Sequence, residues 1–317
     1  MSQKPVRWKV PTRSFLRMCR SAMRRPKVVD SFGMELTGAG LLMRTLCVRR
    51  LLLRNVLTDS DAGVGLLLPP SVPAVVANAA LLLARRMPIN LNYTVSSEIL
   101  NLCIARAGIR RVLTSRRVME RFEHLKPDAE LVYLEDFKDR ITTVDKLIAG
   151  LQTWLMPVAL LERRLGLTRT DPEEVMTVIF TSGSTGDPKG VMLTHRNVGT
   201  NVESFNGALN LRANDTLIGV LPFFHSFGYT VAMWAALMLP PKVAYHVNPL
   251  DARQVGELSR KQRATLLVVA PTFLRGYLRR VPAEDFATLD LIVTGAEKLP
   301  PDLSDAMDLA KMLATLE

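Results

Sequence analysis

Residues 178 to 190 read Val-Ile-Phe-Thr-Ser-Gly-Ser-Thr-Gly-Asp-Pro-Lys-Gly. The apolar run Met176 to Phe180 leads into a loop of hydroxyl residues and glycines that closes on one lysine. Such a loop suits phosphate. Gly183, Gly186 and Gly190 permit backbone geometries that bulkier residues resist, so main-chain N–H groups can approach an anion. Thr181, Ser182, Ser184 and Thr185 add hydroxyl donors, and Lys189 adds positive charge. Spacing excludes two common phosphate loops: a Walker loop needs Gly-Lys followed by Ser or Thr, where this chain has Pro188-Lys189-Gly190, and the dinucleotide fingerprint is absent. A merely flexible connector of this composition gives no reason for Pro188.

Outward from the loop, short apolar runs bounded by turn residues recur at Val64–Leu68, Val112–Leu113, Leu131–Leu134, Leu217–Leu221, Val243–Val247, Leu266–Val269 and Leu289–Val293. They do not alternate with polar residues, as strands buried on both faces would not. Helical patterns lie between them, at Leu41–Arg54, Val72–Ala84, Ser96–Ala107, Asn197–Leu209, Thr230–Leu239, Ala252–Arg263 and Asp302–Thr315. The alternation predicts an α/β fold with largely parallel sheets flanked by helices. A basic stretch ending in Thr170-Asp171-Pro172 suggests a seam between lobes 1–170 and 171–317, with the loop opening the second.

The chain has 317 residues, 48% of them hydrophobic, enough for a sizeable core. Cys19, Cys47 and Cys103 show neither metal-ligand spacing nor a disulfide framework and are expected as reduced, partly buried thiols. With no signal-like leader and no run of about 18 apolar residues, the expectation is a cytoplasmic protein. A net charge of +11 raises nucleic acid as a partner, but no recognised DNA- or RNA-binding pattern accompanies it, and none is expected to bind. In Leu41–Arg54 the arginines Arg44, Arg50 and Arg54 share a broad helical sector among leucines. The plain reading is a half-buried surface helix with solvated arginines; the sharper readings are peripheral contact with an anionic membrane surface or with an acidic carrier protein.

Thr181 to Gly190 resembles the signature loop of the adenylate-forming superfamily. Leu221-Pro222-Phe223-Phe224-His225-Ser226-Phe227-Gly228 looks like its aromatic-histidine segment, and Thr294-Gly295-Ala296-Glu297-Lys298-Leu299-Pro300 like its adenine-side segment. Leu68–Ala74, Pro88–Thr94 and Val112–Arg117 are similar to segments of the acyl-acyl-carrier-protein synthetases, the adenylating half that accompanies 2-acylglycerophosphoethanolamine acyltransferases. The resemblance runs from about Asp30 onward.

That resemblance implies ATP-dependent activation of a fatty acyl carboxylate as its adenylate, followed by transfer to the thiol of acyl carrier protein or CoA, with ATP and Mg²⁺ as cofactors. It gives the loop and Lys189 the phosphates, and His225 the acyl and adenylate groups. Gly295, Ala296 and Glu297 receive the adenine. From the residues alone, a histidine between phenylalanines is more often structural, and Glu297 could equally be a solvated turn residue. No Tyr-Gly-x-Thr-Glu segment follows Glu297, and the family's later ribose-binding aspartate and small C-terminal lobe are not found. The expectation is therefore a partial adenylation domain, an incomplete N-terminal region without the C-terminal lid, whose activity truncation would impair. The alternative is a non-catalytic remnant that binds nucleotide or a carrier protein.

Overall fold

Leu266, Leu267, Val268 and Val269 are all buried, as an unbroken apolar run requires when helices cover both faces of its sheet. In the computed structural model, which describes residues 9–182, 187–295, 297–298, 300–301 and 303, this run is one of twelve strands. They are β1 (Pro26–Asp30), β2 (Glu35–Thr37), β3 (Gly63–Leu66), β4 (Met87–Asn90), β5 (Arg111–Thr114), β6 (Glu130–Tyr133), β7 (Val175–Ser182), β8 (Pro188–Thr194), β9 (Thr216–Gly219), β10 (Lys242–Tyr245), β11 (Leu266–Val269) and β12 (Leu291–Thr294). Gly183, Ser184, Thr185, Gly186 and Ala296 lie outside the described residues, as does the expected helix Asp302–Thr315 apart from Leu303.

A four-stranded sheet, β4-β3-β5-β6, is wholly parallel. A six-stranded sheet, β12-β11-β9-β10-β1-β2, is parallel except at its edge, where β2 runs against β1. This is the α/β architecture of parallel sheets flanked by helices that the alternating pattern predicts. The six-stranded sheet takes β1 and β2 from before residue 170 and the rest from after it, so sequence order and sheet membership differ. A third, two-stranded ribbon pairs β7 antiparallel with β8.

Four strands are absent from the sequence reading: β1, β2, β4 and β8. β4 carries Pro88, tolerated because β4 is an edge strand. β8 contains the proline, lysine and glycine of the phosphate-loop motif, with Val191 and Met192 exposed on opposite faces.

The arginine-rich helix, Gly38–Asn55, corrects an expectation. Leu41, Leu42, Leu46, Leu51 and Leu52 are buried while Leu53 is exposed, so the helix is half-buried as the plain reading has it. Its arginines are not simply solvated. Arg50 Nε and Arg54 Nη1 hold the buried carboxylate of Asp145 at 3.0 and 2.8 Å, and Arg49 Nε donates to the Leu83 carbonyl at 2.7 Å. Burial opposes ionisation of Asp145, yet bonds from Thr142, Arg54 and Arg50 outweigh it and hold the carboxyl at about 2. The N-terminal helix Pro11–Ser21 is tied in similarly, by Arg13 and Arg17 on the buried Glu162. The three cysteines are buried and unpaired, and burial pushes the Cys19 thiol up to about 12.

Candidate active site

The described residues of the phosphate-loop motif, Thr181, Ser182 and Asp187 to Gly190, lie at one end of the β7–β8 ribbon. Thr181 lies across from Lys189 and Ser182 across from Pro188, so the lysine belongs to the returning strand, with the segment 183–187 between the two. Lys189 is exposed. Two anchors fix the ribbon to the first half of the chain. Thr177 Oγ1 donates to the Pro88 carbonyl of β4 at 2.7 Å, and Arg106, at the end of the helix Ser97–Arg106, reaches Asp187 Oδ2 at 2.8 Å and the Pro188 carbonyl. Gly190 has a packing reason as well: a Cβ there would stand 3.0 Å from Val178 Cγ1 and 3.3 Å from the Phe180 ring. Arg106, Phe180, Lys189 and Gly190 line a cleft of about 480 Å³ against the ribbon.

The other two motifs meet at the carboxyl edge of the six-stranded sheet, where open parallel sheets place their ligands. β9 runs out into Val220–Phe227, β11 into the helix Pro271–Arg280, and β12 into Gly295 and Glu297. These three strands are neighbours. Gly295 packs against Phe227 so closely that a Cβ would lie 2.8 Å from the ring. Thr272 Oγ1 donates to Glu297 Oε2 at 2.7 Å, and both residues are exposed. A Cβ on Gly228 would lie 2.1 Å from the Pro222 carbonyl oxygen, which is why the aromatic-histidine segment must end in glycine. Immediately beyond it the chain forms a π-helix, Gly228–Ala235, a geometry frequent at functional sites.

His225 stands at this edge with its ring on Phe224, centroids 4.5 Å apart. The imidazole keeps solvent access while its neighbours remove part of its hydration, and that burial lowers its pKa from the ordinary value. Phe224 in turn meets Tyr93 edge-on at 5.0 Å, and Tyr93 packs on Phe122 at 5.0 Å. Tyr93 follows β4, so this aromatic contact joins the carboxyl edges of the two parallel sheets beside His225. No cluster of three His, Cys, Asp or Glu residues fit for a metal exists among the described residues.

Sequence reasoning missed Thr272, Arg106 and the aromatic wall of Tyr93 and Phe122. The first two lie far from their partners in sequence, and nothing local marks them. Tyr93 carried a signal, since it falls inside the segment Pro88–Thr94.

The AMP-binding enzyme family model matches residues 15–310. The chain belongs to that family. The match takes in residues 15–21 of the N-terminal helix, a region that sequence reading left unassigned. The chain is 26% identical over 209 residues to 4-coumarate--CoA ligase 4 of Arabidopsis thaliana, covering 64% of this chain and 36% of that enzyme. It is 31% identical over 163 residues to Acyl-CoA ligase SID4 of Ajellomyces capsulatus, covering 50% and 27%. The matched regions thus span no more than 36% of these relatives' length. Among solved structures, VinN superposes with a TM-score of 0.75 at 19% identity, covering 96% of this chain and 74% of VinN. The N-terminal domain of FACL13 from Mycobacterium tuberculosis gives 0.76 at 19%, covering 95% and 73%. At that identity the likeness speaks for the fold.

Proposed function

We propose that this AMP-binding chain serves ATP-dependent activation of a fatty acyl carboxylate and its transfer to a thiol of CoA or acyl carrier protein. A carboxylate resists acyl transfer because its charge repels nucleophiles and oxide is a poor leaving group. One carboxylate oxygen attacks the α-phosphorus of ATP, the bond to the β-phosphate oxygen breaks, and pyrophosphate leaves. The thiolate then attacks the acyl carbon and AMP departs with the bonding electron pair.

The observation that carries this reading is the meeting of the aromatic-histidine and adenine-side segments at one sheet edge, through Phe227 and Gly295. In it Lys189 and the Thr181 hydroxyl oppose the charge that builds on the departing phosphates. The segment around Gly295 and Glu297 receives the adenine, and His225 orients the acyl carboxylate. A magnesium ion, when bound, would supply further charge neutralisation; such an ion keeps much of its coordination on phosphate and water, and Glu297 is the one motif carboxylate at this edge to assist it. An apolar acid suits the wall of Phe224, Tyr93 and Phe122 beside His225. The segments similar to acyl-acyl-carrier-protein synthetases also fall at the exits of β3, β4 and β5, along the same side as that wall.

Acid-dependent exchange of labelled pyrophosphate into ATP tests the reading. A panel of fatty acids and hydroxycinnamates should give exchange with fatty acids, abolished in Lys189→Ala and reduced in His225→Ala. Exchange with hydroxycinnamates alone would overturn the substrate class. Nucleotide binding without exchange for any acid would make the chain a binding module.

A further inference from the structure

The helix Thr143–Trp154 faces the wrong way for a helix that ends at water. Its buried side carries Asp145, Ala149, Gln152 and Thr153. Its outer side presents Val144 at 59% exposure, Leu147 at 62%, Leu151 at 49% and Trp154 at 52%, spaced three and four residues apart in one ridge. Leu155 at 74% and Leu160 at 52%, in the following turn and the helix Val158–Arg164, extend it. The inversion has a structural cause on its inner side, where Asp145 is held by Arg50 and Arg54. Nothing among the described residues covers the outer side, and a contiguous apolar ridge of this kind marks an interaction surface.

Charge selects the occupant. Residues 137–169 hold six basic residues, Lys138, Arg140, Lys146, Arg163, Arg164 and Arg169, against three acids, Asp139, Asp145 and Glu162. Two of those acids are buried, each between two arginines from other helices, so Asp139 is the one acid of the segment facing water. Exposed leucines and a tryptophan on one helix face, in a segment whose cations are also exposed, have the pattern of an interfacial helix. A second copy would bring an equally basic segment against this one, in a chain of net charge +11.

We propose that the ridge of Val144, Leu147, Leu151, Trp154, Leu155 and Leu160 rests on an anionic lipid bilayer, lying in the headgroup region without crossing it. No described helix is long and apolar enough to span. The site is independent of the adenylation reading, since neither ATP nor acid enters its test.

The test is co-sedimentation of the full chain with phosphatidylglycerol-containing and with pure phosphatidylcholine vesicles, comparing wild type with the double variant Leu147→Ser, Leu151→Ser. Both substitutions are at exposed positions, and thermal melting checks that the variant keeps its fold. Wild type should partition onto the anionic vesicles, lose that binding in about 0.5 M salt, and bind at least about tenfold more tightly than the variant. A vesicle-induced blue shift of tryptophan emission should vanish in Trp154→Phe. Equal binding by the double variant, or no binding by wild type, would overturn the proposal. So would a wild-type dimer in sedimentation velocity that the double variant splits, because the ridge would then be covered by a second copy.

Discussion

The Thr272 hydroxyl donates to Glu297 Oε2 at 2.7 Å, tying the first turn of the helix Pro271–Arg280 after β11 to the segment after β12. Both residues are exposed, so the bond adds little to folding, about 0.5–1.5 kcal/mol at most. Its value lies in holding the adenine-side segment. Thr272→Val should leave the melting temperature almost unchanged while weakening ATP binding several-fold in titration. An unchanged affinity would make the bond incidental to the nucleotide.

Gly228 and Gly295 are both closely packed, but against different things. An added methyl at Gly228 meets the Pro222 carbonyl, which is backbone, whereas at Gly295 it meets the ring of Phe227, which can turn. Gly228→Ala should therefore cost more in denaturant melts, about 3 kcal/mol against about 1 kcal/mol for Gly295→Ala. Gly295→Ala should show its larger effect on nucleotide affinity. Equal destabilisation by the two would contradict the packing account.

His195 is buried behind Arg85, and burial first, then that arginine's charge, lowers its pKa from 6.5 to about 4. Between these values the unfolded chain binds a proton that the folded chain refuses, so stability falls as pH drops from 6.5 toward 4. His195→Gln removes this contribution. Urea melts across that window should show a pH dependence weaker in the variant by up to ~3 kcal/mol in total. Parallel curves for the two proteins would contradict the assignment.

Asp145 links two helices, holding Arg50 and Arg54 of Gly38–Asn55 while its capping exchange with Thr142 starts its own helix. Asp145→Ala leaves two half-buried guanidinium groups without their shared anion and should cost about 3 kcal/mol. Asp145→Asn keeps the side-chain acceptor for Thr142 and should cost less. The carboxyl's folded value of about 2 lies below its ordinary 3.8, so the stabilisation is complete above the ordinary value and is lost as pH falls through about 2. Acid titration of melting in wild type and Asp145→Asn should converge toward pH 2.

Most of the buried parallel strands were legible in the sequence because both faces of each sheet are covered; β1, buried from Lys27 to Asp30, was not, because Lys27 and Asp30 break its apolar run. Leu266 to Val269 needs no partner information to read as a core strand. β4 and β8 were not legible, since Pro88 and the motif residues Pro188, Lys189 and Gly190 read locally as loop. Their strand character comes from β3 and β7 alongside. The arginines of Gly38–Asn55 look solvated in sequence because their anion, Asp145, is about a hundred residues away and Asp145 itself looks like a surface cap. At the site, loop composition pointed to Lys189, and the family resemblance to His225, Gly295 and Glu297. Neither could name Thr272 or Arg106, whose importance arises only when β11 meets β12 and the helix Ser97–Arg106 meets the ribbon.

The central claim is that the β7–β8 ribbon holds the phosphates of ATP with Lys189 as its cation. Calorimetric titration of ATP into wild type and Lys189→Ala tests it most directly. Loss of one charge-assisted contact should weaken binding by about 1.5–3 kcal/mol, roughly ten- to more than a hundredfold. Lys189 is exposed, so melting should not change. Equal ATP affinity in the two proteins would contradict the account.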